Sequence, residues 1–303
     1  GSIYANAYWI SLATSAGFRG EHRMTNTYID VRAFCDGEET GHASMASRKI
    51  GGLDPKSVGM RAAKYAKLSR SPKRGKPGEY DTIFTPDAVA SLLNFVGMMA
   101  SGFAVIAGYS ALGNKLGKRI ASDELTLIDD PHAPDSFNPI PFDHEGVPTK
   151  RNTIIENGVL RTYLHNRITA KLLNAEHTGN AGWLFPQPWN LCLMPRDSSE
   201  EEMVAEMGEG LIVGNVTYVR FQDYVKGDFS GIIRDGVLFV KNGEIRHAIR
   251  GLRLSDNILR LLGNIKSIDR ETKQVYHWWL EMGIPVFSAS ILAKKVRYTL
   301  AWG

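Results

Sequence analysis

Two alternating runs, Asn152 to Ile155 and Val159 to Leu164, meet at Asn157-Gly158. Asn followed by Gly tolerates the positive φ that a tight type I′ turn demands at both central positions, so the spacing predicts a β-hairpin. A hairpin restricts the chain to antiparallel pairing at that point. Upstream, Asp143, Glu145, Gly146 and Pro148 predict an acidic loop, because neither Gly nor Pro sits well inside a helix or central strand. Downstream, Arg167 to Ala175 reads as a short helix, and His177-Thr178-Gly179-Asn180-Ala181-Gly182 closes the unit with small residues. The same turn chemistry recurs at Asn242-Gly243, between strands predicted over Gly236 to Val240 and Glu244 to Ile249.

The flanking sequence supplies further elements. Ile3 to Ala13 and Arg23 to Cys35 read as strands separated by a turn near Gly17 to Gly20, and Asp54-Pro55 starts a helix reaching Leu68. Between Lys56 and Lys76 stand eight Lys or Arg and no acid. Val58, Ala62, Tyr65 and Ala66 form an apolar stripe there, so the cations read as a solvated face rather than a nucleic-acid site. Ser71 to Gly78 has linker composition and marks a boundary between residues 1–78, with strands and the basic helix, and residues 79–303. Tyr80 to Phe84 is a strand, and Thr85-Pro86-Asp87 opens a helix with a hydroxyl N-cap.

Ala88 to Asn114 carries no formal charge, which raises a transmembrane reading. Polar interruptions argue instead for a core helix of about 14 residues ending at Gly102, too short to span a bilayer, followed by a buried strand over Phe103 to Ala107. Glu124 to Ile128 is a strand delivering Asp129-Asp130-Pro131 to a turn, where the acids either cap the turn or orient a ligand. Ser198 and Ser199 precede Glu201 and Glu202 in a capping-box pattern, opening a helix that ends near Gly208 or Gly210. A strand over Leu211 to Tyr218, a helix over Ser255 to Ile265 and a closing strand over Ile284 to Ala293 complete the reading.

With 43% hydrophobic and 22% charged residues, the chain has the composition of a soluble globular protein. Cys35 and Cys192 lie far apart and do not form a disulfide scaffold, which fits a reducing, cytoplasmic setting. The first residues lack the basic region that precedes a secretory signal. The net charge of +4 excludes no class of partner.

In order, the acidic loop, hairpin, helix and Gly-rich closure from Pro141 to Gly182 resemble the C-terminal half of the TldD/PmbA family, peptidase-related proteins once called modulators of DNA gyrase. So do Leu125 to Pro131 (LTLIDDP), Gly227 to Gly231 (GDFSG) and Gly251 to Leu262 (GLRLSDNILRLL). The resemblance implies an α+β fold with mixed, largely antiparallel β-sheets and packed helices, of the TldD/PmbA C-terminal type. It also implies that a further domain precedes this region in other members.

Active members of that family bind zinc through HExxxH on a helix and a cysteine near the C-terminus. By resemblance that helix falls at Ser91 to Ala100, with Asn94 and Met99 at the histidine positions and Phe95 at the glutamate. Phe offers no base and a thioether is a poor zinc ligand. No two of the eight histidines lie closer than twelve residues, and no cysteine follows Cys192. His144-Glu145 is flanked by helix-breaking residues. A site assembled from Asp143, His144, His165, His177 and Cys192 is the alternative left open by the residues alone.

This pattern is similar to the TldE (PmbA) branch, which lacks the zinc motif. The resemblance implies a noncatalytic subunit without a cofactor of its own, zinc residing in a TldD-like catalytic partner, and a shared chamber for unfolded or short peptides. A homodimer is a further arrangement to test; membrane and nucleic acid are not among the implied partners. The peptide-contact candidates are Asp143, Glu145 and Gly146, then Thr178, Gly179 and Asn180, then Asp228 and Ser230. Two readings compete: a stand-alone hydrolase using an unrecognised site, and a regulatory module binding nucleic acid or protein.

Overall fold

Alternating β-branched and aromatic residues build an antiparallel meander at the start of the computed structural model, which describes residues 1–35, 37, 39–277 and 279–301. Its strands are β1 (Ser2–Ala13), β2 (Arg19–Cys35) and β3 (Glu39–Ser47), in that order. Helix α1 (Pro55–Leu68) starts where expected: Asp54 accepts the Ser57 N–H at 3.0 Å, and Pro55 occupies a position whose N–H has no helical partner. Its Val58 and Ala62 pack against Ile29 and Ala43, while Lys64 and Lys67 stay exposed.

The chain continues through β4 (Lys73–Arg74), β5 (Gly78–Phe84), α2 (Pro86–Met99), α3 (Gly102–Ile106) and β6 (Leu127–Asp129). Then come β7 (Asn152–Glu156), β8 (Val159–Leu160), α4 (Arg167–Leu172), β9 (Leu191–Leu193) and α5 (Glu200–Met207). Two long strands follow, β10 (Glu209–Asp223) and β11 (Asp228–Lys241), then β12 (Glu244–Arg250), β13 (Leu252–Asn257) and α6 (Ile258–Gly263). The last elements are β14 (Ile265–Ile268), β15 (Lys273–Val275), β16 (Val286–Ser288) and β17 (Ile291–Leu300).

The fold is α+β with mixed, largely antiparallel sheets. One six-stranded sheet has the order β15-β16-β9-β6-β7-β8. In the larger sheet, β10-β5-β17-β13-β11 are neighbours and β10 also pairs with β11, so these five strands close a ring, with β12 and β4 extending from it. Helix α2 packs on β10 and on β16, joining the two sheets. It is apolar around almost its whole circumference, as a helix enclosed on all sides must be. Among the described residues no helix is long and apolar enough to cross a membrane.

Both Asn-Gly hairpins form: Asn157 and Gly158 have φ of 46° and 78°, Asn242 and Gly243 of 56° and 72°. The capping box at Ser199 and Glu202 also forms, with Gly208 ending the helix.

Tertiary contacts override local propensity elsewhere. Phe103 to Ala107 is not a buried strand; it is mostly α3, with Phe103 and Ile106 exposed. Gly102 does not cap α2, a place taken by Ala100, but lies against His165, whose ring would be 2.7 Å from a Cβ there. Thr85 sits at the N-cap of α2, yet its hydroxyl donates to the Gly214 carbonyl at 2.6 Å instead of capping. The helix expected over Ser255 to Ile265 is shorter, because Ser255 and Asp256 pair with Ser230 and Phe229 of β11, and Asn257 caps α6. The closing strand divides into β16 and β17, which belong to different sheets.

Candidate functional site

The acidic loop and the Gly-rich closure meet. Asp143 is fully buried; its carboxylate accepts the N–H groups of Glu145 and Val147 at 2.9 Å each and that of Ala181 at 3.0 Å. His177 Nε2 lies 3.0 Å from Glu145 Oε2 and 3.6 Å from Asp143 Oδ2. Thr178 Oγ1 donates to the His165 carbonyl at 3.1 Å and accepts the His165 N–H. Gly179 has φ +75°, and a Cβ there would lie 2.7 Å from the Pro148 carbonyl oxygen. These bonds anchor a small hairpin, Ala181 bridged to Pro186, that carries Trp183 and Leu184 at its tip, 90% and 86% exposed.

Asn180 belongs to a second, deeper network. Its amide donates to Asp129 Oδ2 at 2.6 Å, while Asp129 Oδ1 accepts the N–H groups of Trp189 at 2.7 Å and Asn190 at 3.0 Å. Asp129 is fully buried, and burial pushes its carboxyl up to about 7 despite those three donors. Of the peptide-contact candidates, six therefore share one neighbourhood, with Asp143, Thr178 and Asn180 turned into the protein and Glu145 reaching its surface. Asp228 and Ser230 do not join them. They lie on β11, where Asp228 accepts from Asn257 at 2.8 Å and Ser230 from Gln222 and Arg253.

Among the described residues, Asp143, Glu145 and His177 are the one group of three whose donor atoms converge closely enough for a metal ion. The imidazole argues against that use. The Gly179 N–H donates to His177 Nδ1 at 2.9 Å, so in the neutral ring the proton sits on Nε2, the atom facing the carboxylates. A ligating histidine needs the opposite tautomer, with the other nitrogen donating. The group is a hydrogen-bonded clamp. His165 and Cys192 are not part of it: burial pushes His165 down to about 4 and the Cys192 thiol up to about 12. A thiol so far from thiolate is a poor nucleophile.

On α2, Asn94 is fully buried, donates to the Ala90 and Ile284 carbonyls and accepts the Ile284 N–H at 3.1 Å. Its amide therefore holds the backbone and has no capacity for an ion. Phe95 lies 5.4 Å from Phe221, ring to ring. Beside this turn of α2 opens an apolar cavity of about 200 Å³. Phe95, Met98 and Met99 form its floor, Phe103 and Ala104 of α3 one wall, and Tyr109, Phe185, Tyr224 and Met282 the rim. Phe185 comes from the clamped hairpin, which stacks it 5.8 Å from Phe103. Tyr224 follows the end of β10 and lies 5.3 Å from Phe221 and 6.1 Å from Tyr109. Glu281, which accepts the Val219 N–H at 2.7 Å and pairs with Arg220, brings Met282 to the rim. On the same strand Tyr218 has φ +49°, a strained conformation for a bulky residue, at a break in the β10–β11 register.

Residues 77–299 match the model of the PmbA/TldA metallopeptidase C-terminal domain. The chain belongs to the PmbA/TldD family. Similar proteins include Metalloprotease PmbA of Escherichia coli O157:H7, 30% identical over 270 residues, or 84% of this chain and 58% of the relative. Metalloprotease MJ0996 of Methanocaldococcus jannaschii is 28% identical over 274 residues, 85% of this chain and 59% of the relative. The chain thus spans less than two thirds of the length of these PmbA/TldD relatives. Among solved structures, TM0727 of Thermotoga maritima superposes with a TM-score of 0.85 at 29% identity, over 94% of this chain and 65% of that one. TldE of Thermococcus kodakarensis gives 0.81 at 22% identity over the same shares, a likeness of fold. The family is named for metal-dependent proteolysis, and the residues of this chain do not fit a zinc ion at α2: an amide tied to main chain, a phenyl ring and a thioether stand there.

The cavity is the part of the site that sequence reasoning missed. Its signal was the uncharged run from Ala88 to Asn114, which was more apolar than one core helix needs; Tyr224 and Met282 gave none, being brought in by the fold alone.

Proposed function

We propose that this chain is the noncatalytic subunit of a two-subunit peptidase of the PmbA/TldD family, with zinc held by a TldD-like partner and peptide held partly by this chain. One observation carries the reading. At the turn of α2 where zinc-binding members are expected to place their ligands, Asn94 is tied to Ala90 and Ile284, and Phe95 and Met99 floor an apolar cavity. The clamp of Asp143, Glu145 and His177 supports the hairpin that completes that cavity, a positioning role for residues expected to touch peptide. Extended peptides are held with little sequence preference by main-chain hydrogen bonds to strand edges. The six-stranded sheet offers such an edge at β15, whereas the outer side of β8 is bonded to residues 117–120.

The test is metal analysis and peptide cleavage. The purified chain should retain no stoichiometric zinc and cleave nothing alone, and adding a TldD-like partner should yield chelator-sensitive cleavage. One zinc per chain together with cleavage by the isolated protein would remove the reading.

A further inference from the structure

We propose that the cavity beside α2 is a side-chain subsite that takes one large apolar residue, aromatic or leucine-like, of an extended peptide. This deepens the peptide-holding reading above and rests on it for the origin of the peptide.

Size selects the occupant first. Engineered apolar cavities of about 150 Å³ in another protein admit benzene, and this one measures about 200 Å³. That is room for one ring or branched side chain, below the roughly 300 Å³ where drug-sized ligand pockets begin. Its ten described lining residues are also fewer than the roughly 20 to 30 that each partner contributes to a stable protein interface.

Chemistry selects next. Among the described residues, no Asp, Glu, Lys, Arg or His lines the cavity. Its one serine, Ser101, donates its hydroxyl to the Pro186 carbonyl at 2.7 Å, which leaves the phenol groups of Tyr109 and Tyr224, at the exposed rim, as the remaining side-chain hydroxyls. A charged side chain entering it would lose its hydration without compensation. Three of the lining residues are methionines, Met98, Met99 and Met282, whose flexible thioethers adapt to different apolar shapes and contact aromatic rings favourably. The subsite therefore discriminates by apolarity and tolerates variety in shape.

Exposure gives the third argument. Phe103, Tyr109, Tyr224 and Met282 are between 39% and 61% exposed, although they surround one concavity. Trp183 and Leu184 immediately precede Phe185 on the same hairpin and are highly exposed, apolar surface next in the chain to a rim residue. Ala104, half-buried in the wall, is the place where a larger side chain would fill the cavity without disturbing the core.

The experiment uses the 303-residue chain and blocked pentapeptides of alanine carrying Phe, Leu, Ala or Lys at the centre, with affinities read by calorimetry or chemical-shift titration. The Phe and Leu peptides should bind on the order of tenfold or more tighter than the Ala peptide, and the Lys peptide no better than Ala. Ala104→Trp should abolish the preference while leaving the thermal midpoint unchanged, and Tyr109→Lys should weaken Phe binding. Equal affinity for the Phe and Ala peptides, or a preference that survives Ala104→Trp, overturns the proposal. So does a change of oligomeric state in Ala104→Trp with the peptide preference intact, since the cavity would then be a protein interface. Partner-dependent cleavage that persists while the preference is absent refutes the subsite alone. Preference without any partner-dependent cleavage upholds the subsite and refutes the subunit reading.

Discussion

Asp129 sets burial against hydrogen bonding in a way that stability measurements can resolve. It is wholly enclosed, and burial pushes it up to about 7 from 3.8, although Trp189, Asn190 and Asn180 all direct N–H groups at its oxygens. A carboxyl whose folded value is raised stabilises the fold below its unfolded value and loses that contribution as pH climbs through the folded one. The window is therefore pH 3.8 to about 7. The full loss is about 4 kcal/mol, more than half of it between pH 5 and pH 8. Asp129→Asn carries no such titration. It keeps one acceptor for the Trp189 and Asn190 N–H groups but turns its NH2 toward that of Asn180, a pH-independent clash that leaves it about 1–3 kcal/mol less stable than the wild type at pH 5. Urea unfolding of both proteins at pH 5, 6, 7 and 8 measures the difference, which should shrink by about 2–3 kcal/mol across that range and end near zero or reversed. Parallel stability curves would refute the reasoning: the three donors would then outweigh burial and hold the carboxylate ionised throughout.

Three further outcomes follow from local geometry. Gly179→Ala places a Cβ 2.8 Å from the Thr149 Cα at a φ of +75°, so it should destabilise by on the order of 2 kcal/mol or more, read as a lowered thermal midpoint. Ser199→Ala removes one half of a formed capping box and should cost about 1 kcal/mol in chemical denaturation. Cys192, its thiol pushed up to about 12 chiefly by burial, should resist iodoacetamide in the native protein at pH 8 and react once the chain is unfolded, with mass spectrometry mapping the adduct.

Turn and cap chemistry was legible because it is local. Asn157-Gly158, Asn242-Gly243, Asp54-Pro55 and the Ser199-Glu202 box each declare themselves within four residues and form as read. Errors came where distant partners decide. Ser255 and Asp256 have a helical-looking neighbourhood but complete a ladder with β11, and the apolar run after Ser101 becomes the wall of a cavity instead of a strand. The neighbourhood of Asp143 with Thr178 to Asn180 was legible as a cluster of loop signals. That most of its polar atoms face inward was not, since an Asp that binds ligand and an Asp that binds its own backbone look alike in sequence.

The circle of five strands beneath α2 behaves as an inextensible hoop. Sliding any one member would break ladders on both its sides at once, so the backbone around this girdle cannot breathe to suit a guest. Accommodation of a guest therefore falls to what lies off the hoop: α3, the hairpin of Phe185, the segment of Met282 and the side chains they carry.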